Sequence, residues 1–285
     1  MGAERPLVVA SRAELRAALR GATRPVGLVP TMGALHAGHA SLMRRARDEC
    51  ATVVVSIFVN PAQFDRPDDL GAYPRTTPAD LEACRREGVD IAFVPPVDEV
   101  HVPGATTTVD PGPIAGILEG SSRPGHFVAV ATVVAILLHL AGPDRAYFGE
   151  KDAQQLLVVR RMVRDLAIPT EIVGCATVRD PDGLALSSRN ARMSPADRAA
   201  APALHRALVA AGDAWDAGLR DADALRVTMR AVLAAESRAR IDYVSVADTG
   251  TLAELSGRAD GDVLCSLAAS FGAVRLIDNR ALRAG

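Results

Sequence analysis

The stretch Val26-Gly27-Leu28-Val29-Pro30-Thr31-Met32-Gly33-Ala34-Leu35-His36-Ala37-Gly38-His39 decides the fold, together with the helical and strand-like runs that follow it. Residues 26–29 are a short apolar strand and residues 30–38 are turn-like. Residues 40–50 form a helical run, and residues 52–59 are rich in β-branched side chains, as a central parallel strand should be. This is a β-loop-α-β unit, and the rhythm repeats. Thr77-Pro78-Ala79-Asp80 starts a helix over 81–87 that Gly88 stops, and a strand follows at 91–94. Residues 127–140 read as a helix, 146–148 as a strand, and 152–166 as a helix that ends before Pro169. Such alternation predicts an α/β fold with a doubly wound parallel sheet.

After residue 177 the rhythm changes. Asp180-Pro181-Asp182-Gly183 is a turn, Ser194-Pro195-Ala196-Asp197 opens a long alanine-rich helix, and a second helix covers 223–237. Three strand-like runs follow, at 241–247, 262–268 and 274–278. The pattern predicts residues 1–177 as the larger domain and 178–285 as a smaller C-terminal α+β domain.

A chain of 285 residues that is 49% hydrophobic has ample apolar content for such cores. A net charge of -2 argues against a nucleic-acid-binding or anionic-membrane surface, so a polyanionic ligand must be met locally. Cys50, Cys84, Cys175 and Cys265 are scattered without a C-x-x-C pair, which points to reduced thiols and a cytoplasmic protein. Residues 1–15 carry Glu4, Arg5, Pro6 and Arg12 and no apolar segment, so no secretory signal is expected. The longest apolar stretch, 127–142, contains His139 and falls short of the roughly 20 residues of a membrane span, so it reads as a buried helix.

Four segments carry candidate chemistry. The turn 30–39 joins a strand to a helix, where unsatisfied N–H groups and the helix dipole favour an anion. His36 and His39 stand three apart in it, and Gly33 and Gly38 let a ligand approach the backbone. An H-x-x-H pair is also a partial metal site, but no third His or Cys is near in sequence. In the second segment, Lys151 is the only lysine among 32 basic residues. Its compact ammonium can follow a phosphoryl oxygen where an arginine fork cannot. The neighbouring Asp152 and Gln155 have the spacing of a helix cap and its N3 partner, and spacing does not separate that role from a ligand-facing one. Leu186-Ser187-Ser188-Arg189 offers two hydroxyls and a fixed charge, or a polar connector. Glu119 to Phe127 is a glycine-bearing loop before a helix.

Taken together, the chain resembles the pantothenate synthetases, the pantoate and β-alanine ligases of the cytidylyltransferase-like superfamily with the HIGH motif. Six motifs occur in order: P-T-M-G-A-L-H-x-G-H, F-V-N-P-x-Q-F, Y-P-R-T, E-G-x-x-R-P-G-H-F, P-D-R-A-Y-F-G-E-K-D-x-Q-Q-L and S-S-R-N. The resemblance implies a Rossmann-like N-terminal domain, a C-terminal lid domain, a homodimer, and the joining of pantoate to β-alanine by ATP with Mg2+. Pantoyl adenylate would be the intermediate, and AMP and pyrophosphate the by-products. A nucleotidylyltransferase of the same superfamily is the alternative.

By motif, the resemblance assigns ATP to Met32, Gly33, Ala34, Leu35, His36, Ala37, Gly38 and His39, and to Gly149, Glu150, Lys151 and Asp152. It places Val178 against adenine and Leu186, Ser187, Ser188 and Arg189 on the phosphates. Pantoate falls to Gln63 and Gln155, with Asn60, Tyr73, Glu119 and Arg123 in support. His39, His36, Lys151 and Arg189 are the catalytic candidates, with His39 the family's proton donor and Asp80 the family's Mg2+ carboxylate, although Asp80 also reads as an N3 acid of the helix that follows Thr77 and Pro78. Ala62, Asp65, Ala79, Ile136 and Leu186 depart from the usual pattern.

Overall fold

The computed structural model describes residues 5–64 and 70–284, so Asp65 and the first four residues of the N-terminal reading lie outside the described residues. The chain divides into two compact units, Met1–Glu150 with Gln154–Ala176, and Lys151–Ala153 with Thr177–Gly285.

The first unit holds strands β1 (Leu7–Val9), β2 (Val26–Thr31), β3 (Thr52–Ile57), β4 (Ile91–Phe93), β5 (Arg145–Gly149) and β6 (Glu171–Cys175). They form one sheet in the order β1-β4-β3-β2-β5-β6, and every pairing is parallel, as the alternating sequence predicts. Its main helices are α1 (Arg12–Leu19), α2 (Ala37–Glu49) and α3 (Thr77–Arg86), with short α4 (Val97–Val100) and α5 (Glu119–Ser122), then α6 (His126–Ala141) and α7 (Ala153–Asp165), whose first residue belongs to the second unit. Alternate strand residues Val29, Val53, Val55, Tyr147 and Val173 pack with Leu42, Met43 and Ala46 of α2 in one buried cluster. Helix α6 is apolar on nearly every side and buried along most of its length, and it meets α1 and β2. It is the buried helix read from the apolar stretch, and no helix among the described residues is long and apolar enough to cross a membrane.

Helix α1, opened by a capping box of Ser11 and Glu14, is missed by the sequence reading, and strands β1 and β6 carry too little pattern to stand out. Strand β1 has three residues, and β6 mixes exposed and half-buried positions with buried ones. In the middle of the sheet, β2 pairs with β3 along all six residues but with β5 only through Gly27 and Leu28. Pro30, which has no N–H to donate, follows where the β5 side of that ladder has ended. The chain winds from β2 outward to β3 and from β5 outward to β6. The carboxyl ends of β2 and β5 therefore flank the topological switch point, where open α/β sheets bind ligands.

The second unit is built on antiparallel strands β7 (Ala239–Asp248), β8 (Val263–Phe271) and β9 (Val274–Leu282), with helices α8 (Pro195–Ala200), α9 (Ala203–Asp216) and α10 (Ala222–Ala234). The single alanine-rich helix expected after Ser194 is two helices, broken around Pro202, whose ring cannot continue the α8 hydrogen-bond ladder. Leu204, Leu208 and Trp215 of α9 and Leu225, Met229 and Leu233 of α10 share a core with Val263, Cys265, Leu267 and Phe271 of β8.

Candidate active site

Helix α2 begins at Ala37, three residues earlier than its apolar pattern indicates, because imidazoles supply the cap. His36 is the N-cap residue, with φ -132° and ψ 179°, and its Nδ1 accepts from the Gly38 backbone N–H at 3.2 Å. Three residues on, Nδ1 of His39 accepts from the His36 backbone N–H at 3.3 Å. The two rings lie 4.2 Å apart between centroids. A ring nitrogen that accepts carries no proton, so both imidazoles hold theirs on Nε2 and present an N–H donor there. Serine, threonine, aspartate and asparagine are the usual caps, which is why the earlier start was not legible. The two Nδ1 atoms are thus committed to backbone, and among the described residues no group of three or more His, Cys, Asp or Glu could hold a metal.

The turn ahead of the helix is shaped by a buried carboxylate. Asp80, 2% exposed in the first turn of α3, accepts from the Leu35 N–H at 2.8 Å and the Ala34 N–H at 3.2 Å. It also takes the Thr76 hydroxyl at 3.1 Å. Gly33 at φ +79° lies so close that a Cβ there would stand 3.0 Å from Asp80 Oδ2, and Ala34 follows at φ +50°. Both its oxygens accept from loop amides and a hydroxyl, so Asp80 shapes the turn that carries Met32 to Leu35.

The segments assigned to pantoate come together in the first unit. Asn60, 1% exposed, caps the turn Pro61–Gln63, and its Oδ1 accepts from the Ala62 N–H at 3.3 Å. His101 Nε2 lies 2.8 Å from the same Oδ1, which makes that nitrogen the donor. Burial, and after it the nearby Arg12 guanidinium, hold the His101 imidazole below its usual value. Gln63 is buried, and its carbonyl accepts from Arg123 at 2.6 Å and faces His126 Nδ1 at 3.2 Å. The Gln63 turn and the Glu119 to Phe127 loop are thereby one structure. Tyr73 meets Phe64 edge to face at 5.5 Å between centroids.

The Glu119 loop is tied down by Gln154 rather than by its neighbour Gln155. The amide of Gln154 donates to the carbonyls of Ile114 at 2.8 Å and Ile117 at 2.7 Å, and its oxygen accepts from the Glu119 N–H at 3.0 Å. Here Gly120 is obligatory, because a Cβ would fall 1.8 Å from the Ala115 carbonyl oxygen. Gln154, buried and satisfied, fixes the loop, while Gln155 on the next helical position is half-buried. Adjacent glutamines look alike in sequence, and only helix phase separates them. His101, His126 and Gln154 are site-building residues that the sequence reading did not single out.

After β5 the chain makes a 3-10 turn, Glu150–Asp152, that runs straight into α7, so Asp152 sits within a helical turn. The Lys151 side chain is only 16% exposed, with its Nζ 3.7 Å from Asp152 Oδ1. In the second unit, Val178 and Leu186 are partners at the base of one hairpin, the Leu186 N–H donating to the Val178 carbonyl at 2.9 Å. Ser187 caps the 3-10 turn Ser188–Arg192, accepting from the Arg189 N–H at 3.3 Å, and the Arg189 side chain is exposed. The four cysteines are free and buried. Burial pushes the Cys84 and Cys265 thiols up to about 12 and Cys175 to about 11, which excludes them as thiolate nucleophiles at neutral pH.

Comparison with known proteins bears on all of these segments at once. Residues 7–281 match the family described as Pantoate-beta-alanine ligase. A pantothenate synthetase of Roseiflexus castenholzii is 54% identical over 97% of this chain and 99% of its own length. One from Chloroflexus aurantiacus is 53% identical over 94% and 95%. The crystal structure of pantothenate synthetase from Thermus thermophilus superposes with a TM-score of 0.91 at 48% identity, covering 96% of this chain and 98% of that one. A pantoate-beta-alanine ligase from Francisella tularensis, complexed with beta-gamma ATP and beta-alanine, gives a TM-score of 0.79 at 33% identity over 96% and 97%.

Proposed function

The chain belongs to the pantoate-beta-alanine ligase family, and on that premise we propose that it joins pantoate to β-alanine with ATP, through pantoyl adenylate. The observation that carries the reading is the paired imidazole cap of α2. It sets two Nε2–H donors and the amide end of a helix at the carboxyl end of β2, beside the switch point. This is a site for phosphate.

In the first step an oxygen of the pantoate carboxylate, ionised at neutral pH, attacks the α-phosphorus, and the bond to the departing pyrophosphate breaks. No base is needed. The step requires alignment and donors for the charge that develops on the phosphoryl oxygens. We assign those donors to His36, His39, Lys151 and Arg189. Met32 to His39, Gly149 to Asp152, Val178 and Leu186 to Arg189 hold the nucleotide. Gln63 and Gln155 hold pantoate, supported by Asn60, Tyr73, Glu119 and Arg123. In the second step the free amine of β-alanine attacks the acyl carbon, the bond from that carbon to the AMP oxygen breaks as AMP leaves, and the proton lost by the nitrogen passes to water as the amide forms.

Mg2+ is the expected companion of ATP, and Asp80 is the carboxylate matched to it by motif, one that also accepts from two loop amides and a hydroxyl. Residues 1–177 are proposed as the nucleotide and pantoate domain and 178–285 as the lid. A homodimer is the proposed assembly. Four buried free thiols support a reducing, cytoplasmic setting.

Mass spectrometry of a reaction with ATP, Mg2+ and pantoate should show pantoyl adenylate, and adding β-alanine should convert it to pantothenate with free AMP. A nucleotidylated product that accumulates without AMP would instead identify a nucleotidylyltransferase.

A further inference from the structure

Two consecutive residues of β9 reach two separate stretches of the second unit. Nδ2 of Asn279 donates to the carbonyl of Lys151 at 2.8 Å. Its neighbour Asp278, 3% exposed, takes both terminal nitrogens of Arg179, at 2.6 and 2.9 Å. Arg179 belongs to the hairpin that pairs Val178 with Leu186, and it spans that hairpin by a second bond to the Gly183 carbonyl at 3.1 Å. The hairpin in turn holds the Ser188–Arg192 turn, because Asn190 donates to the Ala185 carbonyl at 3.0 Å. Strand β9 is a firm base for both attachments. It pairs with β8 over its whole length, with Asp278 opposite Leu267 and Asn279 opposite Ser266.

We propose that Asn279 is a positioning residue for Lys151, and that β9, through Asn279 and Asp278, sets one register for the lysine turn and for the hairpin that carries Val178 and Leu186. The proposal rests on the reading of Lys151 as an ATP-phosphate residue. A lysine ammonium rides on a flexible four-carbon stem, so the volume it samples depends on how firmly its backbone is held. A bond to the Lys151 carbonyl restrains the stem at its root without touching the charge. Reacting groups gain from being held in geometry, and small misplacements by residues away from the chemistry lower rates by large factors.

The experiment is a double-mutant cycle of Asn279→Ala with Lys151→Ala on the full chain. It reads affinity for an ATP analogue with a methylene between the α and β phosphates, the rate of adenylate formation, and the KM for pantoate. Asn279→Ala should weaken analogue binding and slow adenylate formation by roughly tenfold and leave the pantoate KM unchanged. In the Lys151→Ala background it should change neither by more than about twofold. An equal loss in both backgrounds, or a matching rise in the pantoate KM, would show a merely structural role and overturn the proposal. No loss from Asn279→Ala while Lys151→Ala is impaired also overturns it, leaving the lysine's role intact. Parental behaviour of Lys151→Ala would remove the role of the lysine and the proposal with it. Asn279→Ser, whose hydroxyl is too short to reach the carbonyl, is the second variant should alanine lower the melting temperature.

Discussion

The backbone N–H of His36 is bonded to Nδ1 of His39 at 3.3 Å, so the second histidine of the motif closes the cap that the first one opens. Each ring has its Nδ1 turned to the backbone, which puts the ring proton on Nε2. Structural and chemical duties are split between the two nitrogens of one side chain, and substitutions can separate them.

His39→Asn keeps an acceptor near the position of Nδ1 and removes the Nε2 donor. Adenylate formation should fall by about a hundredfold or more, as when an oxyanion donor is lost, with stability changed by less than about 0.5 kcal/mol. His39→Ala should lose the same activity and about 1 kcal/mol of stability as well. Single-turnover kinetics and urea midpoints separate the two effects, and an active asparagine variant would disprove the donor role.

Lys151→Ala should slow adenylate formation by roughly a hundredfold with the fold intact, and Lys151→Arg should not restore it. A planar fork does not fit where a mostly buried point charge stood. Full activity of either variant, measured by pyrophosphate release, would refute the assignment.

For Asp80→Asn the expectation is a loss of about 1–3 kcal/mol, because one acceptor facing the turn becomes a donor. ATP affinity should weaken with it. An unchanged Mg2+ concentration for half-maximal rate would make Asp80 a turn anchor only, and a marked rise there would make it a metal ligand as well.

Gln63→Ala or Gln155→Ala should raise the KM for pantoate several-fold and leave that for ATP nearly unchanged. Equal effects on both constants would count against the pantoate assignment. Gln154→Ala should instead destabilise the protein, since it leaves the Ile114 and Ile117 carbonyls and the Glu119 N–H without their partner.

The depressed pKa of His101 has a sign that can be checked. The unfolded chain takes up its proton near the ordinary 6.5 and the folded chain only at lower pH. Stability is therefore full above about 6.5 and falls as the pH drops from there through the folded value. His205 adds the same sign, as burial and then Arg179 hold it down, so the comparison must be a difference between variants. His101→Gln can still donate to Asn60 but does not titrate, and its urea midpoint should fall less on acidification than that of the parent. Identical pH profiles would remove His101 from the account.

Although β1, β6 and α1 were missed, the alternation of the central strands and helices and the change to a smaller α+β unit after residue 177 were legible in the sequence. Each depends on local patterns: the period of apolar residues, turn residues, and motifs of fixed spacing. The tertiary structure decided which partner each of these residues holds. It made Asp80 the keeper of a turn, separated Gln154 from Gln155 by helix phase, bound Gln63 to Arg123, and placed Asn279 against the carbonyl of Lys151. Hydrogen bonds between residues 46, 60 or 128 positions apart leave no periodic trace in a single chain, because the partner is chosen by how elements pack and not by what stands beside it.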